Sequence, residues 1–137
     1  MKKLVFVMSL LAIVVSGCGQ DSSRENKSIH LEATSKEYTA TVEMSPGKVG
    51  PNDYLVTITD DSKQVMHDGQ AILHFSMEGM DHGNSQEELH PEADGKWHGR
   101  GPNIMMEGLW SVQLEWDQPD GQSHKKRFFD FSATIKE

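Results

Sequence analysis

The chain has 137 residues, enough for one domain of ordinary size. Thirteen Lys and Arg stand against 21 Asp and Glu, a formal net charge of −8 at pH 7. That balance excludes a nucleic-acid partner, because a phosphate backbone demands a basic footprint, and the single cysteine excludes an internal disulfide.

Residues 1–17 read as a lipoprotein signal peptide. Met1, Lys2 and Lys3 make a positive start, and Leu4 to Val15 is apolar except for Ser9. This core is shorter than the roughly 20 residues of a spanning helix and has the length of a signal-peptide core. Val15-Ser16-Gly17-Cys18 resembles a lipobox, with Val where Leu is commoner. Cys18 is therefore the expected lipidation site, carrying acyl chains such as palmitate, and the expected location is the extracytoplasmic face of the cell membrane. The competing reading is an ordinary secretory signal with an incidental cysteine. Without Lys2 and Lys3 the formal charge becomes −10, which disfavours attachment to anionic lipid by charge. Two or more acyl chains would suffice as an anchor.

Gly19 to Ser28 contains no apolar residue and cannot bury enough surface to order itself. A tether is expected over residues 18–35 and a folded domain over 36–137.

The domain reads as all-β. Tyr38, Ala40, Val42 and Met44 alternate with polar neighbours, as do Tyr54, Val56 and Ile58. Ala71, Leu73, Phe75 and Met77 form a third stripe, blurred by Ile72. Trp110, Val112, Leu114 and Trp116 form a fourth, and Phe129, Phe131, Ala133 and Ile135 a fifth. A period of two with one apolar side marks strands half-buried on a core. Turn signals separate them at Pro46-Gly47, Gly50-Pro51-Asn52, Asp68-Gly69 and Pro119-Asp120-Gly121. The pattern predicts an immunoglobulin-like antiparallel β-sandwich, with Trp97, Trp110 and Trp116 in its core. Glu78 to Asn103 interrupts the rhythm as a polar, irregular connection, with a short strand near residues 96–100; long connections of this kind are often functional.

Methionine and histidine gather around that connection. Of the six methionines after Cys18, Met77, Met80, Met105 and Met106 flank or enter it, as do His74, His82, His90 and His98. The densest piece is Met77-Glu78-Gly79-Met80-Asp81-His82-Gly83, whose glycines mark a turn. Thioether sulfur is a soft neutral ligand and imidazole suits copper, so a Met/His site outside the cytoplasm favours Cu(I), with Cu(II) reachable through imidazole and carboxylate. Methionine also avoids the disulfide formation that threatens free thiols in an oxidising compartment.

The sandwich itself predicts how these residues meet. If residues 71–77 and 109–116 are the central antiparallel strands of one sheet, the end of the first lies beside the start of the second. Met77, Met80 and His82 then share a rim with Met105 and Met106. Met66 and His67 belong to a turn about 30 Å away, at the other end of the strand. The expected ligands are Met77, Met80, His82 and one of Met105 and Met106, with His98 in reserve. Core packing competes with ligation at Met77 and at Met105 or Met106, and accounts for Met44 outright. His74 reads as a surface or structural residue and His90 as solvated.

Pro46-Gly47-Lys48-Val49-Gly50-Pro51-Asn52 before Tyr54-Leu55-Val56, the Met77-x-x-Met80-x-His82 motif, Gly95-Lys96-Trp97 and Met106-Glu107-Gly108-Leu109-Trp110 together resemble the YtkA-like family. That family overlaps FixH-type proteins and is distantly similar to CopC-like copper proteins. The resemblance covers residues 36–136. It implies an extracytoplasmic sandwich associated with copper handling or oxidase assembly.

Nothing in the sequence suggests an enzyme. It contains no nucleophile elbow, phosphate-binding glycine loop or His-Glu-x-x-His motif, and no small-molecule substrate is expected. The leading expectation is a lipid-anchored copper protein that buffers the metal or delivers it to a membrane enzyme such as a terminal oxidase. The alternative is a metal-free interaction module using its methionines as an adaptable contact surface. A cell-wall carbohydrate module is a weaker third reading, since the tryptophans needed for a binding platform are expected in the core.

Overall fold

The computed structural model describes residues 27–80 and 84–137. The signal peptide, Cys18, residues 19–26 and the segment 81–83, which includes His82, lie outside the described residues.

Eight strands follow in order: β1 (Ile29–Ser35), β2 (Tyr38–Ser45), β3 (Gly50–Asp60), β4 (Gln70–Met77), β5 (Ser85–Pro91), β6 (Trp97–Ile104), β7 (Gly108–Asp120) and β8 (Ser123–Ile135). All pairings are antiparallel, in the order β1-β2-β3-β6-β5-β4-β7-β8. β5 turns the corner between layers. Its residues 85–89 pair with β4, whereas His90 and Pro91 pair with His98 and Trp97 of β6. Strands that switch sheets make such corners. β1 packs against β8, so the sandwich is nearly closed around one core.

The alternating stripes carry that core. Ala40, Val42 and Met44 of β2, Tyr54, Val56 and Ile58 of β3, and Ala71, Leu73 and Phe75 of β4 are buried. So are the inward residues of β7 and β8, Trp110 to Trp116 and Phe129 to Ile135 taken alternately. Burying a Val, Leu, Ile, Phe or Met side chain contributes about 1.5–3 kcal/mol relative to exposure. The three tryptophans are buried, and each indole N–H donates to a loop carbonyl. Trp97 reaches Met66 O at 3.1 Å, Trp110 reaches Met106 O at 3.0 Å, and Trp116 reaches Asp68 O at 2.9 Å. Each ring therefore fills the core and also fixes a loop.

Two expectations need correction. The stretch 29–35, assigned to the tether, is strand β1, fully paired with β2 from Ile29↔Met44 to Ser35↔Tyr38. Ile29, Leu31 and Ala33 pack on the core, so the folded domain begins seven residues before position 36. The connection 78–103 contains two strands, β5 and most of β6. β5 escapes a hydropathy reading because its inward positions are Ser85, Glu87 and Leu89, and only Leu89 is apolar and buried. Glu87 is satisfied by hydrogen bonds instead, accepting from Asn103 Nδ2 at 2.9 Å and from the Arg100 backbone N–H at 3.3 Å. Gly99 and Gly101 make room for it, since a Cβ at either would collide with Glu87.

Candidate metal-binding rim

The connections β2–β3, β4–β5 and β6–β7 lie at one end of the sandwich, together with the start of β1 and the finish of β8. The pairs Gly50↔Ile104, Met77↔Trp110, Gly108↔Ile135 and Ile29↔Met44 fix this arrangement. The turns β1–β2, β3–β4, β5–β6 and β7–β8 occupy the far end. The antiparallel pairing of β4 with β7 thus brings residues 77–80 to the rim that carries 105–107, as expected.

Each piece of the rim has a local cause. In the turn after β4, the Met80 N–H donates to Met77 O at 3.3 Å, and Gly79 adopts φ +81°, which favours glycine. Met77 packs against the core, and its Cε occupies the place a Cβ on Gly108 would take. Gly108 is thus required both for its φ of +133° and for the methionine above it. Met105 and Met106 follow β6 with their side chains out, at 55% and 43% exposure, and Met80 is 46% exposed. The Trp110 hydrogen bond to Met106 O holds that loop while leaving its thioether free.

The β2–β3 connection is fixed by Asn52, which is buried. Its Oδ1 accepts from the Gly47 N–H at 2.8 Å and the Lys48 N–H at 3.3 Å, and its Nδ2 donates to Lys48 O at 2.8 Å and Gly50 O at 3.0 Å. One side chain thereby organises the Pro-Gly-x-x-Gly-Pro-Asn motif and holds Val49 at the rim.

Four of the expected ligand positions, Met77, Met80, Met105 and Met106, lie at this same end of the sandwich, and His82 falls outside the described residues. His98 does not join them. It lies on β6 opposite Leu55 and His90, and seven residues of extended chain separate it from Met105, roughly 20 Å. Its Nε2 lies 3.3 Å from Asp94 Oδ2 and 3.5 Å from Glu92 Oε2, both in the β5–β6 connection. The reserve role fails because position 98 is near the start of β6, whereas the rim lies beyond its finish. Met66 sits at the far end, as expected. His74 bonds Glu115 at 2.9 Å on the outer face, His90 is exposed, and Met44 is core.

Among the described residues, no three His, Cys, Asp or Glu side chains group as metal ligands. A metal bound at the rim would therefore depend on thioether sulfur. A depression of about 520 Å³ lies on the outer face near His98 and Arg100 and not at the rim. It is lined by surface ion pairs and does not compete chemically. A polar cluster inside the sandwich escaped the sequence reading. Tyr54 OH donates to Gly101 O at 3.4 Å beside Asn103 and Glu87, and burial pushes its pKa up to about 12. The paired glycines of β6 are its one sequence signal.

The fold and rim define an antiparallel sandwich with a methionine-bearing end. A model of the YtkA-like family matches residues 32–115, and the chain belongs to that family. No curated protein and no solved structure matches it.

Proposed function

We propose that this protein is a lipid-anchored copper carrier that holds Cu(I) at its methionine rim. It buffers the metal at the extracytoplasmic face of the membrane or hands it to a membrane enzyme such as a terminal oxidase. One observation carries the reading: Met80, Met105 and Met106 are exposed on the connections that follow β4 and β6, at one end of the sandwich, where Met77 packs on the core. Exposed thioethers are soft, uncharged ligands suited to Cu(I), and a carrier must also release its cargo, which weak neutral ligands permit. His82, two positions after Met80 in the sequence, is the imidazole closest to this group along the chain. Cys18 is the proposed lipid attachment, and Cys18→Ala should leave an uncleaved precursor.

The test is a Cu(I) titration against a competing chelator, comparing wild type with Met80→Leu/Met105→Leu. Retention of wild-type affinity in the double variant would transfer the function to the second reading, a protein-interaction module. That reading is favoured by the same exposed apolar surface, because large apolar side chains clustered on a monomer commonly mark contact sites.

A further inference from the structure

The rim is also where the chain joins its proposed anchor. Ile29 begins β1 opposite Met44, and a Cβ on Gly47 would collide with its side chain. Lys27 and Ser28 therefore leave the sandwich beside the 46–49 connection. Cys18 is nine residues before Lys27, a span of at most about 30 Å when fully extended. β7 and β8 each run 13 residues, roughly 40 Å along the strand. A short tether and a longer domain leave the far end unable to rest on the bilayer while the rim points away.

The surface of the rim suits what it would meet. Seven large apolar side chains are exposed among the described residues, and five of them, Val49, Met80, Met105, Met106 and Leu109, lie at or beside this end. Among the described residues at this end the charged side chains balance, with Lys27, Lys48 and Lys136 against Glu78, Glu107 and Glu137; Asp81, outside them, adds one acid to the same connection in the sequence. The acid surplus of the described residues lies elsewhere on the domain, so approach to an anionic headgroup layer meets little local repulsion.

We propose that the rim is a membrane-contact surface, in which these five side chains enter the headgroup region and seat the domain on the bilayer with its thioethers facing down. This rests on lipidation at Cys18. Copper would then be presented at the membrane surface and not to the bulk solvent. Shallow insertion of a few apolar side chains is weak alone and becomes effective when an acyl anchor supplies the local concentration.

The experiment uses the processed full chain in vesicles of phosphatidylethanolamine and phosphatidylglycerol with brominated acyl chains. Leu109→Cys at the rim and Ser62→Cys at the far end each receive an environment-sensitive fluorophore. Flotation with vesicles and the mass of the Cys18 peptide report the anchor independently. The expected result is flotation of both variants, with roughly twofold quenching at position 109 and none at 62. Adding Met105→Glu and Met106→Glu should abolish the quenching without affecting flotation. Failure to float, with unmodified Cys18, would overturn the anchor and with it this inference. Flotation with equal or absent quenching at both positions would overturn the inference alone. So would protection of position 109 in native membranes but not in pure lipid, since the rim would then face a protein.

Discussion

The two ends of the sandwich are built from the same strands and finished differently. At the far end, Trp97 and Trp116 donate to the Met66 and Asp68 carbonyls of the β3–β4 connection. Arg127, 7% exposed, lies 4.3 Å over the Tyr38 ring and bonds Glu37 and Gln118, while Tyr38 meets Trp116 edge-on at 5.1 Å. Gly69 adopts φ +94° against the Asp117 backbone, where no other residue fits. That end is sealed. At the rim, Asn52 and Trp110 fix the backbone of two connections equally well, yet Val49, Met80, Met105 and Met106 remain outside. A held backbone with exposed apolar side chains is not defective packing. It costs solvation without gaining burial, which is the pattern expected when the gain lies in binding.

The largest effect should come from the sealed end. Trp97→Ala removes a fully buried indole and the donor to Met66 O, and should cost about 3–5 kcal/mol in urea or thermal unfolding. Trp97→Phe keeps most of the ring and leaves the carbonyl without its donor, so it should fall between the two. A cost under about 1 kcal/mol for Trp97→Ala would mean that the far end is not the structural end, and the contrast would collapse.

The rim should respond in the opposite way. Met80→Leu/Met105→Leu preserves volume at exposed positions, so unfolding should shift by less than about 1.5 kcal/mol. Cu(I) affinity in competition should fall roughly tenfold to a hundredfold, about 1.4–2.8 kcal/mol. A variant that loses stability and keeps affinity would invert the assignment of the two ends.

Most of the sandwich was legible because its strands have one wet and one dry face. The five apolar stripes are the buried faces of β2, β3, β4, β7 and β8, and the pairing of β4 with β7 followed from them. β5 was not legible because it turns a corner: its inward Glu87 is stabilised by Asn103 and by two glycines on β6, partners that no periodicity reveals. β1 was missed for a related reason, since Ile29, Leu31 and Ala33 are only partly buried at an edge next to a polar tether. The methionines of the rim could be grouped because strand register carries them there. His98 was misplaced because the strand containing it was drawn too short, which hid the distance from its start to the rim.

A smaller effect tests the outer face of the β4–β7–β8 layer that joins the ends. Lys126, together with the hydrogen bond from His74, holds the Glu115 carboxyl below the ordinary glutamate range. A carboxyl that binds its proton more weakly when folded contributes stability above its unfolded pKa, and loses it as pH falls through the folded value. Glu115→Gln should therefore destabilise by up to about 1 kcal/mol at neutral pH, discounted for solvent screening. The difference should vanish in acid, once wild-type Glu115 is protonated. Denaturant midpoints measured at both pH values would show it; a gap that widens in acid would have the wrong sign.

The smallest effect is the sharpest discriminator between the ends. His98 has the chemistry of a copper ligand and stands in the wrong place, pinned between Asp94 and Glu92 about 20 Å from Met105 along β6. His98→Ala should leave Cu(I) affinity unchanged in the same competition that registers Met80→Leu/Met105→Leu. Stability should stay within about 0.5 kcal/mol, because partly exposed ion pairs contribute little. The low Asp94 carboxyl pKa should persist in large part, since its leading cause is the Lys96 backbone N–H and the histidine comes after it. If His98→Ala weakened Cu(I) binding as much as the methionine variant, the metal would sit on the β5–β6 face, and the rim would keep its apolar surface without the cargo.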